Sequence, residues 1–228
     1  HSIDQDVQDI LSFDLMLHDL TPSTLSGIDQ EFVSAPRIDN LLSCHAAISA
    51  LASIGSQSGA FTNVVALYDH EEVGSTSSTG ALGPLLKDAL MRRCSDASLS
   101  SEQSLVISSD CAHGTHPNYV DMHDENHQIF LNQGPVLKHN ANMRYATDAL
   151  GAALVKTAAE KANVPLQVFV SRSDLACGST IGPLAAVNTG IRTVDLGIAQ
   201  LSMHSAREMC GSEDPGYLQS LLMELFKN

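Results

Sequence analysis

From Val64 onward the chain repeats one arrangement: a short apolar run, a turn rich in glycine or serine, and a longer stretch with helical spacing. "VVALY" precedes "ALGPLLKDALMRRC", "SLVISSD" precedes "RYATDALGAALVKTAAEKA", "LQVFVSR" precedes "TIGPLAAVNTG", and "RTVDLGIA" precedes "DPGYLQSLLMELFK". Strands that alternate with helices of this length can cover both faces of a sheet. The pattern therefore predicts an α/β fold in three layers, with a central, mainly parallel sheet flanked by helices. Upstream, "IDNLLSCHAAISALASI" (Ile38 to Ile54) places apolar residues at three-and-four spacing and reads as a long helix. "ILSFDLMLHDL" alternates apolar and polar residues and reads as a strand, broken by the proline, serine and glycine of "TPSTLSGIDQ". A length of 228 residues, 43% of them apolar, is enough for one core.

Charge and cysteine content narrow the class. A net charge of −14 repels phosphate backbones and anionic membrane surfaces, and no basic patch offsets it, so neither nucleic acid nor membrane is an expected partner. The five cysteines are odd in number, widely spaced and without a CxxC pair, which speaks against a disulfide framework and for a reducing compartment. No apolar run approaches the roughly 20 residues of a membrane span. The first residues, "HSIDQDVQDI", are acidic and polar. A cytoplasmic location is the expectation.

In sheets of this kind functional groups collect beyond the carboxyl ends of the strands. "VVALY" leads into Asp69, His70, Glu71 and Glu72; "SLVISSD" ends on Asp110, with His113 and His116 just after; a later loop carries His204; and Asp39 opens the long helix. Carboxylates and imidazoles gathered on one edge repel one another or share a divalent cation. Each residue also has a plainer explanation. The adjacent glutamates can be a solvated loop, Asp39 a helix cap, Asp110 a turn cap, and the three histidines backbone-bonded or exposed loop residues. The metal reading rests on their coincidence at several element ends. "GSTSSTG" lacks the GK[ST] ending of a phosphate loop, no GxSxG elbow is present, and Cys177 in "ACGST" reads more simply as a packing thiol than as a nucleophile.

"APRIDNL", "LYDHEEVGS", "ISSDCAHGTHPNY", "GPVLKHNANMRYATDA", "SDLACGSTIGP" and "VDLGIAQLSMHSAREMCG", in that order, resemble the aspartyl aminopeptidases. These are zinc exopeptidases that remove acidic residues from peptide N-termini. The likeness covers nearly all of the chain from Phe13 onward. It implies a zinc-exopeptidase-like fold and a site for two zinc ions, with Asp39 bridging both, Glu72 and His204 completing one, and Asp110 holding the other. Glu71 is implied as general base, taking a proton from water and returning it to the leaving amine. The two glutamates are adjacent yet need different directions, which alternate residues leaving a strand would supply. Lys138 matches the residue that recognises the acidic substrate side chain, with Tyr145 as its hydrogen-bonding neighbour. His116, Gly178, Ser179 and Thr180 match residues that line the substrate cleft. Peptides with an acidic N-terminus and assembly of the whole enzyme as a homo-oligomer follow from the same likeness.

One departure stands out. The family has a further zinc-binding histidine, in an HTD-type motif upstream of a dimerisation domain, and "HSIDQD" around His1 does not match it. The resemblance thus implies that residues 1–30 are the edge of an inserted dimerisation domain and its linker, and that residues 31–228 are the catalytic domain. It implies one retained zinc at Asp39, Glu72 and His204, with the other weak or lost. The expectation is a metal-dependent aminopeptidase of which this chain supplies most of the catalytic domain; the alternative is an inactive fragment or a non-catalytic assembly subunit.

Overall fold

The computed structural model describes residues 6–55, 61–93 and 103–227. Its strands form two sheets. In the first, β3 (Leu105–Ser109) pairs in parallel with β7 (Arg192–Gly197), β7 antiparallel with β5 (Val136–His139), and β5 in parallel with β6 (Gln167–Val170). The second runs in the order β1 (Thr24–Ser26), β2 (Phe32–Ala35), β9 (Glu208–Gly211), β8 (Ala199–Leu201), β4 (Ala112–His113). Its pairs are antiparallel except β4 with β8.

The sheets are joined at a break. The segment β3–β4 runs beside β7–β8 throughout: Asp110 N donates to Leu196 O at 2.9 Å and Ala112 N to Ile198 O at 2.8 Å. A side chain on Gly197 would collide with the carbonyl oxygen of Asp110, so glycine is what lets the two segments approach there. Asp110 thus sits where the ladder changes sheet.

Helices cover both faces of the first sheet. Successive residues of β7 point to opposite sides: Val194 meets Gly151 of α3 (Ala149–Ala162), and Asp195 meets Gly182 of α4 (Gly182–Thr189). On the Val194 side, α3, α1 (Ile38–Ile54) and α5 (Asp214–Leu225) pack together. Ala46, Ala50, Val155, Ala159, Leu218 and Leu221 form the core there with Leu137, Val194 and Leu196. On the other side, α4 contacts β3 and β7, and α2 (Leu85–Arg93) packs on α4. Asp148 caps α3 by accepting from Gly151 N, and proline opens both α4 and α5.

The α/β class with flanking helices is therefore the observed one, and the helix read from Ile38 to Ile54 has those limits. Two expected strands are absent. Ile10 to Leu20 has no regular structure, and both of its faces are open, with Met16 85% and Leu17 105% exposed. Val64 to Tyr68 is likewise not a strand, and Val64 and Leu67 are close to half exposed. Alternation or apolarity makes a strand only where a neighbour accepts the backbone bonds. Neither run has a ladder partner among the described residues. The helix expected through Cys94 ends at Arg93 in the described residues, and Cys94 lies outside them. Strands β1, β2, β4, β5, β8 and β9 were not read from the sequence; none is longer than four residues, and unlike β6, of that same length, none belongs to the repeated strand-and-helix pattern.

Candidate metal centre

Three separate segments bring donors to one point. The first is the start of α1. Arg37, at φ 58°, holds the cap position, and Asp39 departs from helical geometry at ψ 109°. The capping alternative for Asp39 is thus set aside: its carboxylate turns toward His204, with Oδ2 3.2 Å from Nε2. The second is a short 3-10 turn, Glu71–Val73, entered through His70 at φ 62°. Glu72 Oε2 is also 3.2 Å from His204 Nε2. The third is the loop after β8, where His204 itself has φ 64°. Left-handed backbone at non-glycine residues costs of order 1–3 kcal/mol and clusters at functional sites. Here it occurs beside or at each donor.

The direction of the two glutamates has a different cause from the one expected. They leave a 3-10 turn, not a strand, and successive side chains there diverge by about 120°. Loop bonds fix that turn: Gly74 N donates to Glu71 O at 2.9 Å, Ser75 N to His70 O at 2.8 Å, and His70 Nδ1 lies 2.8 Å from Ser77 Oγ. The small and hydroxyl residues after the glutamates therefore tie the loop together.

Ligand atoms of Asp39, Glu72 and His204 all lie within 4.8 Å of one another, the one such group of three among the described residues. Asp39 is 7% exposed, whereas Glu72 and His204 are each 57% exposed, so the group opens to solvent on one side. Burial pushes the Asp39 carboxyl up to about 8, and the charges of Asp110, Glu72 and Glu208 push in the same direction. Burial first, then Asp110 and Glu72, also raise Glu71, against a downward pull from His204 and Lys138. Carboxylates this crowded carry an unfavourable negative charge that a cation relieves. Two carboxylates and one imidazole suit zinc or a similar transition cation better than calcium or magnesium, which prefer oxygen alone. The residues fit one such ion, and Asp110, close enough to act on Asp39, adds a further carboxylate beside it.

The residues expected to meet substrate fall into two groups. Lys138 and Tyr145 are together, the ammonium 5.4 Å from the ring centre. Lys138 is 2% exposed, donates to Cys111 O at 2.7 Å and stands 3.9 Å from Asp110 Oδ2. Thr180 is buried and donates to Asp195 Oδ1 at 2.5 Å, while Gly178 and Ser179 are exposed and Ser179 Oγ donates to Arg144 O at 3.2 Å. His116 makes its contacts locally, accepting from Asn118 N at 3.1 Å and tilting against Tyr119. Cys177 lies against the Tyr145 hydroxyl, consistent with a packing role.

The sequence reading passed over three buried carboxylates, two of which, Asp195 and Glu208, bear on the site. Asp195, fully buried, accepts from Ser108 Oγ, Thr180 Oγ1 and Ala146 N, tying the Tyr145 and Thr180 loops to β3. Glu208 lies behind the metal group. Asp195 sits in a strand as a lone acid between Val194 and Leu196, a signal that could have marked it; Glu208, directly after Arg207 at the start of β9, carries no such signal. His113, weighed both as one of the gathered metal-type residues and as a loop histidine, is not in the donor group; its ring stands edge-on to His204 at 6.4 Å.

An α/β domain with a metal-type donor group at the sheet edge, and a glutamate of raised pKa beside it, has the architecture of a metallohydrolase. The family model of aminopeptidase I zinc metalloproteases (M18) matches residues 1–226, and the chain belongs to that family. It is 47% identical over 225 residues to a probable M18 family aminopeptidase 2 of Streptomyces coelicolor, covering 94% of this chain and 52% of that protein. A Mycobacterium leprae protein of the same description is 48% identical over 227 residues, covering 96% and 53%. Among solved structures, the cryo-EM structure of the Ape4 and Nbr1 complex matches with a TM-score of 0.86 and 43% identity, over 92% of this chain and 42% of that one. The S. cerevisiae mApe1 dodecamer matches at 0.81 and 35%, over 92% and 49%. The chain spans about half the length of the curated relatives it matches.

Proposed function

We propose that the protein is a zinc-dependent aminopeptidase that removes N-terminal aspartate or glutamate from peptides, with this chain supplying most of the catalytic domain. The observation that carries the reading is the convergence of Asp39, Glu72 and His204, with Glu71 next to them. Asp39, Glu72 and His204 would hold one zinc, and Asp39 and Asp110 would be the donors toward a second. Zinc bound there supplies Lewis acidity to the scissile carbonyl and to water. Glu71 takes the proton from the attacking water on its carboxylate and returns it to the leaving amine nitrogen. Its raised pKa suits both steps, since a base that must later act as an acid works best near the operating pH.

Acid selectivity is assigned to Lys138 and Tyr145, with His116, Gly178, Ser179 and Thr180 around the substrate. Lys138 is a buried positive charge in an acidic protein, held by Cys111 O and Asp110, and its field favours a carboxylate nearby. The domain division at residue 31 belongs to the same reading. The irregular run Ile10 to Leu20 supports it, while the β1–β2 pairing moves the structural edge toward Thr24. A homo-oligomer is supported by the dodecameric neighbour. A cytoplasmic setting is supported by free thiols at Cys44, Cys111, Cys177 and Cys210. No described helix is long and apolar enough to cross a membrane.

The test is hydrolysis of aspartyl, glutamyl and leucyl chromogenic amides by the zinc-loaded protein. Preference for the acidic substrates, reduced about 10- to 100-fold by Lys138→Met, is expected from loss of a charged hydrogen-bonding partner. Equal cleavage of the leucyl amide overturns the specificity. No cleavage of any of them leaves the second reading, a non-catalytic chain that keeps the fold. In favour of that reading, the described residues gather one donor group and not two.

A further inference from the structure

Glu208 is buried in β9, 2% exposed, with one carboxylate oxygen on each of two distant segments. Oε2 accepts from the backbone N–H of Asp39 at 2.8 Å, and Oε1 accepts from the backbone N–H of His204, also at 2.8 Å. Those amides belong to two of the three donor residues, 165 positions apart in the chain. We infer that Glu208 is a positioning residue for the metal centre, a single buried carboxylate that sets the spacing of Asp39 and His204 before any ion arrives. The inference rests on the metal-centre reading above and extends it to a residue that touches no ion.

Three observations carry it. First, both amides are in backbone that cannot satisfy itself. Asp39 leaves helical geometry in the first turn of α1, and His204 is left-handed, so neither N–H has a regular ladder or helix partner. Second, the strand that carries Glu208 is fixed independently. β9 pairs with β2 on one side, Ala35 opposite Glu208, and with β8 on the other. The chain runs from Ala35 into α1 and from β8 into the His204 loop, so Glu208 stands between the exits of both neighbours. Third, each bond joins a buried carboxylate oxygen to a part-buried backbone amide at 2.8 Å, in a site where crowded carboxylates would otherwise spread. The negative charge of Glu208 also adds to the field that attracts a cation at Asp39.

A plainer role is to cap α1 and no more. In that case Glu208 would contribute to folding and not to metal binding. Asp214 provides the control. It is also fully buried, and it accepts from the backbone N–H groups of Asn132 and Gly134, with no donor residue among these partners.

The experiment measures zinc affinity, by competition with a chromophoric chelator, and the melting temperature with and without zinc, for the unaltered chain, Glu208→Gln and Asp214→Asn. Gln keeps the shape of Glu208 but turns an NH2 group toward one of the two amides. The expected result is a 10- to 100-fold loss of zinc affinity in Glu208→Gln, and a smaller zinc-induced rise in melting temperature, the size typical of removing a partner behind a metal ligand. Asp214→Asn should bind zinc within threefold of the unaltered chain, whatever its effect on the zinc-free melting temperature. Equal zinc affinity in Glu208→Gln and the unaltered chain overturns the inference alone. An unaltered chain that takes up no zinc overturns the metal-centre reading, and this inference with it. Should Glu208→Gln not fold, amide hydrogen exchange on the unaltered, zinc-free chain decides. Protection of both the Asp39 and His204 amides is expected, and exchange of either at the rate of an open loop overturns the inference.

Discussion

The edge of the molecule that carries the candidate site is built in two ways. Asp110 and Lys138 stand just after or on strands that share a core with α1, α3 and α5, and His204 follows β8, held between β4 and β9. Glu71 and Glu72 stand on a run with no ladder partner among the described residues, flanked by the half-exposed Val64 and Leu67. On the first side, buried carboxylates (Asp195, Glu208) fix the loops. On the second, backbone hydrogen bonds from Gly74 and Ser75 and one between His70 and Ser77 do so. The glutamates therefore reach a fixed set of partners from a less supported segment. Packing holds one half of the site, and local turn chemistry holds the other.

The largest effect that would sharpen this contrast is chemical. Glu71→Gln should lower kcat of the active enzyme by about 10²- to 10⁴-fold, the range for losing a general base, with zinc content unchanged by elemental analysis. Loss of zinc along with activity would instead make Glu71 part of the metal group and blur the two roles of the pair. Next comes stability. Leu196→Ala, in the buried face of β7, should cost about 2–5 kcal/mol in denaturant unfolding, through lost burial and a cavity. Leu67→Ser should change stability by no more than about 0.5 kcal/mol, as expected where little apolar area is covered. A cost like that of Leu196→Ala would show the Val64–Tyr68 run to be packed after all.

A smaller effect concerns pH. Burial pushes Asp214 up to about 6, against the pull of the Asn132, Gly134 and Gly211 amides. Its folded value exceeds the unfolded one, so the folded state binds the proton more tightly, and stability falls as pH rises from about 4 to about 6, then levels. The drop, at most about 3 kcal/mol on the usual conversion of pKa to free energy, should vanish from the pH profile of Asp214→Asn. If the unaltered chain instead loses stability relative to Asp214→Asn as pH is lowered through this range, the sign is reversed and the three amides outweigh burial.

Much of this was legible beforehand because it depends on local pattern. The helix from Ile38 to Ile54 and strands β3, β6 and β7 show their periods in sequence. Asp39, Glu72 and His204 could be marked as donors because acids and histidines coincide at several element ends and the motifs around them resemble those of a zinc exopeptidase family. What the pattern could not show is pairing. Ile10 to Leu20 alternates as a strand should, yet Leu11 and Leu17 have nothing to pack on. Strands as short as Ala112–His113 exist only because β8 lies alongside.

The sequence by itself determined the α/β class, the main helices and the donor types, since these follow from residue spacing and chemistry. Tertiary structure alone decided that Asp39 faces His204 rather than capping its helix, that Lys138 is buried on Cys111 O, and that Glu208 reaches two amides at once. The reason is distance. Each depends on atoms far apart in the chain meeting within about 3 Å, the reach of a hydrogen bond, and no local rule encodes that meeting.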